Sequence, residues 1–188
     1  MAAPCYKADI GESMNIRMIE ERDISSVLNI YRYYVENTDI TFECTLPSYE
    51  AFSSRVHRIV SRYPYLVADE GGYIVGYAYA DQFKDRQAYD WTCEVSVYLK
   101  NGQERRGTGT MLYRELEQIL TRMNIRNLNA CITWPNPPSV AFHERMGYRK
   151  VAHFEKCGYK FDRWIDMIWM QKITEPYPEH PDAVLWRS

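Results

Sequence analysis

Gln103-Glu104-Arg105-Arg106-Gly107-Thr108-Gly109-Thr110 separates a strand-like run, Val95 to Leu99, from a segment whose apolar residues Leu112, Leu116, Ile119, Leu120 and Met123 fall on one helical face. Gly107 and Gly109 free this turn of side chains, and the helix it opens begins with amides that have no partner inside the helix. Such a strand, glycine turn and helix make a cradle for anionic oxygens, and Arg105 and Arg106 add positive charge beside it. The stretch is expected to hold a phosphate-bearing ligand, with an ordinary tight turn as the plain alternative.

Outward from this turn, Asn127 to Ile132 reads as a strand parallel to one running from about Trp91 to Leu99, so the turn lies at the carboxyl end of a strand-helix-strand unit, where ligands collect. Upstream, a short strand is expected at Ile16 to Ile19. Asp23 is then a cap for a helix carrying Ile24, Val27, Leu28, Tyr31 and Val35, and a second helix follows Pro47 and Ser48 with Phe52, Val56, Ile59, Val60 and Tyr63 buried. Tyr65 to Asp69 and Tyr73 to Ala80 flank Glu70-Gly71-Gly72 as a hairpin. Downstream, Trp134 to Pro138 is a rigid loop, Ser139 to Met146 a short helix, and Gly147-Tyr148 the step into a strand. The last strand, Phe161 to Ile173, alternates poorly and reads as mostly buried.

With 188 residues, 46% of them hydrophobic, the chain can bury one core but is short for two ordinary domains. One domain is expected over 14–173, after an N-terminal extension or expression remnant at 1–13 and before a polar, proline-containing surface tail at 174–188. A net charge of -2 leaves no sequence-wide basic excess, so no nucleic-acid partner is expected. Five scattered cysteines, an odd number with no C-x-x-C pair, suit a reducing cytoplasm and suggest no metal site. No apolar run approaches the roughly 18 to 20 residues of a membrane span.

Three stretches in this order and spacing resemble the GNAT superfamily of acetyl-CoA-dependent N-acetyltransferases: Ala88-Tyr89-Asp90-Trp91-Thr92-Cys93-Glu94, Arg105 to Thr110, and Asn136-Pro137-Pro138-Ser139-Val140-Ala141-Phe142-His143-Glu144-Arg145-Met146-Gly147-Tyr148. The resemblance spans about Asn15 to Ile173 and is to the phosphinothricin acetyltransferase branch. It implies an α/β (α+β) fold with a mixed, mostly antiparallel sheet, splayed at its centre and flanked by helices. It also implies acetyl-CoA as co-substrate, a small amine or amino-acid acceptor such as phosphinothricin, methionine sulfone or methionine sulfoximine, and a homodimer, with an acetyltransferase for a polyamine or protein N-terminus, or a non-catalytic acyl-CoA-binding module, as the alternatives. One residue departs from the superfamily pattern: Glu104 stands where Gln or Arg is usual, and it is expected to point away from the cradle.

Acetyl transfer needs a place for the pyrophosphate, stabilisation of the thioester oxyanion, and an acceptor amine without its proton. In families like this one the pantetheine lies beside Val97, Tyr98 and Leu99, amides from Arg105 through Arg106, Gly107, Thr108 and Gly109 to Thr110 hold the pyrophosphate, and Asn136 bonds the pantetheine. Asn136 could equally serve only the turn before Pro137. Glu94 shares a strand face with Ser96 and Tyr98 and, partly desolvated, is a general base. The alternative is a solvent-facing or salt-bridged glutamate. His143 stands where many relatives place a proton-donating tyrosine, and is either that donor or a helix-surface histidine packed on Tyr148. Phe42, Arg86 and Tyr89 are the acceptor-side candidates, with Arg86 placed to pair with a carboxylate or to remain a solvated charge.

Overall fold

The computed structural model describes residues 14–104 and 106–186. The expectations for Met1 to Ser13, Cys5 and Arg105 fall outside them. The chain runs β1 (Met14–Met18), α1 (Ile24–Asn37), α2 (Tyr49–Val60), β2 (Tyr65–Glu70), β3 (Tyr73–Gln82), β4 (Thr92–Leu99), α3 (Thr108–Arg122), β5 (Asn127–Trp134), α4 (Pro137–Arg145), β6 (Arg149–Lys160) and β7 (Arg163–Ile173). The strands form a seven-stranded sheet in the order β1-β2-β3-β4-β5-β7-β6. Every pairing is antiparallel except β4 with β5.

That parallel pairing has three rungs, Thr92 with Asn127, Cys93 with Leu128 and Glu94 with Asn129. Beyond Glu94 no rung joins β4 to β5, while β3 stays paired to β4 up to Leu99 and β7 stays paired to β5 up to Trp134. Each strand is thus held from its outer side only, and the sheet opens between them as the resemblance implies.

Helices cover both faces of the β1–β4 half. Leu112, Tyr113, Leu116 and Leu120 of α3 are fully buried on one side. On the other, Tyr31 and Tyr34 of α1 stand edge-on to Tyr98 of β4, their ring centroids 5.4 and 5.0 Å from its own, and Tyr31 stacks on Phe52 of α2. Burial of such aromatic and branched side chains supplies the main driving force for folding, at about 25 cal/mol per Å² of apolar surface.

Two local readings are corrected. Asp23 does not cap α1 with its side chain: its Oδ2 accepts from the Glu20 amide at 2.8 Å, while Arg17 donates to both of its carboxylate oxygens and to Asp69. β7 is not mostly buried: Ile165, Ile168 and Met170 are covered, but Trp164 is 61% exposed and Met167 and Trp169 only half-buried, because no helix covers that side of the β6–β7 hairpin. The tail lies on the surface but is tied down. Trp91 Nε1 donates to the Asp182 carbonyl at 2.8 Å, the Leu185 amide to the Met123 carbonyl at 3.0 Å, and Trp186 packs on Tyr63 beneath the Arg62 guanidinium.

Candidate active site

The open seam between β4 and β5 forms a cleft lined by Val95 to Tyr98, Ala130 to Thr133, Tyr113, Asn136, Ser139 and His143, with Ile40 at its edge. Val97 and Tyr98 lie on β4 along this cleft. Leu99 ends the strand, its carbonyl taken by the Tyr34 hydroxyl at 2.6 Å.

At the cradle, Gly107 has φ of 85°, the left-handed region where an L side chain is strained, and there is open space where its Cβ would be. No side chain caps α3, whereas Ser48 Oγ caps α2 and Asn136 Oδ1 caps α4 by accepting from the Ser139 amide at 3.2 Å. Among the described residues no side chain accepts from the amides of Thr108, Gly109 or Thr110. Arg106 is not free positive charge: it pairs with Glu70 (3.1 Å) and bonds Gln103. Asn136 serves the turn with its oxygen, and its amide nitrogen finds no acceptor among the described residues.

Glu94 receives no hydrogen bond from any described residue. Burial, and after it the charge of Asp81, pushes its carboxyl above the usual range, against a smaller opposing effect of Lys84. Cys93, on the opposite face of β4, is fully buried. Cys131, across the cleft, has its thiol pushed up to about 12 by desolvation and then by the Glu94 charge, which removes it as a nucleophile.

His143 is 3% exposed, and burial lowers its imidazole to about 4. Nδ1 lies 2.8 Å from the Ser139 carbonyl, which can only accept, so Nδ1 carries the proton and Nε2 accepts from the Tyr113 hydroxyl at 2.9 Å. His143 therefore has no free N–H to offer the cleft; the hydroxyl beside it belongs to Tyr113. Sequence reasoning missed Tyr113 because it follows Leu112 on the buried side of α3, where an aromatic residue reads as core.

On the acceptor side the candidates separate. Tyr89 meets Phe83 at 5.7 Å between centroids, and Phe83 meets Trp169 at 5.0 Å, making an aromatic wall. Phe42 lies over Gly158 of β6, so closely that a Cβ there would stand 2.4 Å from its ring. Its loop is held by Thr133 Oγ1 on the Asp39 carbonyl at 2.5 Å and by Lys160 Nζ on the Thr41 carbonyl at 3.0 Å. The Arg86 guanidinium is exposed and bonds no described residue. Phe83, Lys84 and Trp169 were legible only as a loop pair and a strand residue. Among the described residues no group of His, Cys, Asp and Glu could hold a metal, and no helix is long and apolar enough to cross a membrane.

Known proteins resemble this chain in sequence and fold. The chain is 33% identical to the phosphinothricin N-acetyltransferase of Streptomyces viridochromogenes, over 89% of this chain and 92% of that one. It is 28% identical to the L-methionine sulfoximine/L-methionine sulfone acetyltransferase of Salmonella typhimurium, over 90% and 99%. Among solved structures, a GNAT superfamily phosphinothricin acetyltransferase from Sinorhizobium meliloti in complex with AcCoA superposes with a TM-score of 0.81 at 33% identity, over 89% of this chain and 97% of that one. A ribosomal-protein-alanine N-acetyltransferase from Brucella melitensis superposes at 0.80 with 32% identity, over 85% and 99%. Residues 16–169 match the acetyltransferase (GNAT) domain family. With its sheet opened after three parallel rungs and an uncapped helix beside the opening, the chain belongs to the GNAT family of N-acetyltransferases.

Proposed function

We propose that the protein transfers acetyl from acetyl-CoA to the α-amine of a small amino acid or analogue of the phosphinothricin, methionine sulfone or methionine sulfoximine type. One observation carries this reading: Glu94, a carboxylate with no hydrogen bond from any described residue, stands at the last rung before β4 and β5 part into a cleft, and an uncapped helix N-terminus follows the far end of β4. A diphosphate suits the cradle, since no described side chain claims its amides and the space around Gly107 is open. When bound, acetyl-CoA supplies a thioester carbonyl open to direct attack by an amine.

The chain's own residues do the rest. The amides of Thr108 to Thr110 hold the anionic end, and the free edge of β4 at Val97 and Tyr98 offers backbone groups to the arm between. Glu94 takes the proton of the incoming ammonium, directly or through water, for which its raised affinity for protons suits it. Burial keeps Tyr113 protonated and His143 neutral at pH 7, so the one hydroxyl proton, which rests on His143 Nε2, serves the departing thiolate by turning from that nitrogen to the sulfur. A thiolate of pKa near 8.5 needs no stronger help. Tyr89 and Phe42 flank the acceptor, and the unpaired Arg86 receives its carboxylate.

A detoxifying role in the cytoplasm follows from such acceptors. A homodimer is supported by the aromatic surface of the β6–β7 hairpin, where Phe154, Tyr159 and Trp164 are about half exposed. The test is thiol release with acetyl-CoA against phosphinothricin, methionine sulfone, methionine sulfoximine, spermidine and an alanine-started peptide. Turnover confined to the first three supports the reading. Preference for the peptide would favour the second reading, protein N-terminal acetylation, raised by the likeness to the Brucella enzyme. Turnover unchanged in Glu94→Gln would remove the proposed base.

A further inference from the structure

Glu94, at the last rung before the cleft opens, does not have neutral neighbours only. Cross-strand register puts Asp81 of β3 directly opposite it, on the same sheet face. Directly opposed residues of an antiparallel pair have Cβ atoms about 5 Å apart, and like charges at that position repel. A strand pair assembled for stability alone would have no use for two carboxylates there.

The two carboxylates are treated differently. Asp81 is fully engaged: Arg58 of α2 grips it with both guanidinium nitrogens, Nη1 to Oδ1 at 2.8 Å and Nη2 to Oδ2 at 2.7 Å, and the Gln82 amide donates to Oδ1 at 2.7 Å. Glu94 is left unbonded. The titratable groups on the face of Glu94 are Asp81 and Tyr79 from β3, Lys84 from the loop after it, Tyr98 from β4 itself and Cys131 from β5, while Cys93 and Tyr113 of α3 act on it from the opposite face of the sheet. Of these only Asp81 and Lys84 carry charge at neutral pH, and α2 acts on Glu94 through Arg58 on Asp81.

We propose that the Arg58–Asp81 ion pair is the positioning unit for Glu94: Asp81 places a fixed negative charge beside the proposed base, and Arg58 sets how much of that charge the base feels. This rests on the reading of Glu94 as the base. The same arrangement draws an incoming ammonium toward the end of the cleft where its proton is removed. Arg58 is reached from solvent, with a side chain 57% exposed, so its partial screening is adjustable by substitution without disturbing the core.

The predicted signature is a pair of opposite shifts. Asp81→Asn keeps shape and removes the charge, so the Glu94 titration moves down by about half to one pH unit, as expected for a charge at this distance in a partly solvated site. Arg58→Met leaves Asp81 uncompensated, and the titration moves up by about half a unit. Once Asp81 is asparagine, adding Arg58→Met moves it little further. Arg58→Lys restores most of the native position.

The readout is the ¹³C shift of the Glu94 carboxyl in protein labelled at glutamate, assigned by its disappearance in Glu94→Gln and followed from pH 4 to 8. It needs no acceptor. The acid limb of kcat/KM with methionine sulfone is followed alongside. Titrations that stay put, or that move the same way in both single variants, overturn the proposal, since loss of a merely structural ion pair gives no opposed shifts. Opposed titrations with full activity in Glu94→Gln would confirm the electrostatics and remove the base, which separates the two failures.

Discussion

Replacing Glu94 by glutamine tests the chemistry most directly, because it keeps the shape of a half-buried side chain while removing its proton acceptor. General base catalysis of this kind contributes about 10²- to 10⁴-fold, equivalent to about 3 to 5 kcal/mol of transition-state stabilisation. The size of the loss depends on pH. Burial and Asp81 raise the Glu94 carboxyl above its usual range, so below that raised value wild type has lost its base too. Above the acceptor amine's own pKa, near 8 for an α-amino group, free amine is plentiful and the base matters little. The deficit of Glu94→Gln is therefore greatest between these two limits and narrows on both sides. Acetyl-CoA affinity by calorimetry is expected to stay within about twofold, since the cradle lies at the other end of the cleft.

Stability supplies an independent sign. A carboxyl whose folded-state pKa is raised contributes stability only while protonated, and loses it as pH rises through that value. At pH 7 the ionised Glu94 thus works against folding, and Glu94→Gln should melt at a higher temperature than wild type, with the gain vanishing in acid. Equal loss of cofactor affinity and rate, or a deficit that is flat with pH, would refute the assignment.

Gly107→Val forces a branched side chain into left-handed backbone and into the cradle's open space, so acetyl-CoA binding should weaken by at least tenfold in calorimetry. Tyr113→Phe removes the hydroxyl that bonds His143 Nε2, lowering kcat by about tenfold with KM for acetyl-CoA little changed, as read by steady-state kinetics. Because burial lowers His143 to about 4, its ring should show the neutral Nδ1–H form by ¹⁵N NMR at every pH above 5. Its contribution to stability, complete above the usual histidine value near 6.5, is lost as pH falls from there toward 4. Arg17→Met leaves Asp23, 4% exposed, without its cation, and should cost about 3 to 5 kcal/mol in urea unfolding. Burial alone would raise Asp23, yet Arg17 and the Glu20 amide hold it below the usual range, so the stability it adds is lost only at a pH below that range.

Local features of the chain were legible because local forces make them. The 3.6-residue spacing of Leu112, Leu116 and Leu120 marks α3, Ser48 marks the start of α2, and Gly107 marks a backbone turn that few other residues accept. Glu94 and His143 were nameable as candidates from flanking motifs, and so was the glycine turn proposed to hold a phosphate. Asp23 misled because an aspartate before an apolar helix suits a cap, and only the arrival of Arg17 and the Glu20 amide claims its oxygens instead. Burial of β7 misled for a similar reason: Trp, Ile and Met mark apolar character, not whether a helix covers them.

The sequence by itself determined the elements, their order, the family and the glycine turn, because each rests on contacts within a few residues. Tertiary structure alone decided that β4 and β5 part after Glu94, that the Tyr113 hydroxyl bonds His143 Nε2 at the cleft, and that Asp81 faces Glu94 with Arg58 behind it. Those relations join residues from different elements. Their energies come from burial and from charges brought together only when the sheet closes, and neither leaves a periodic trace along the chain.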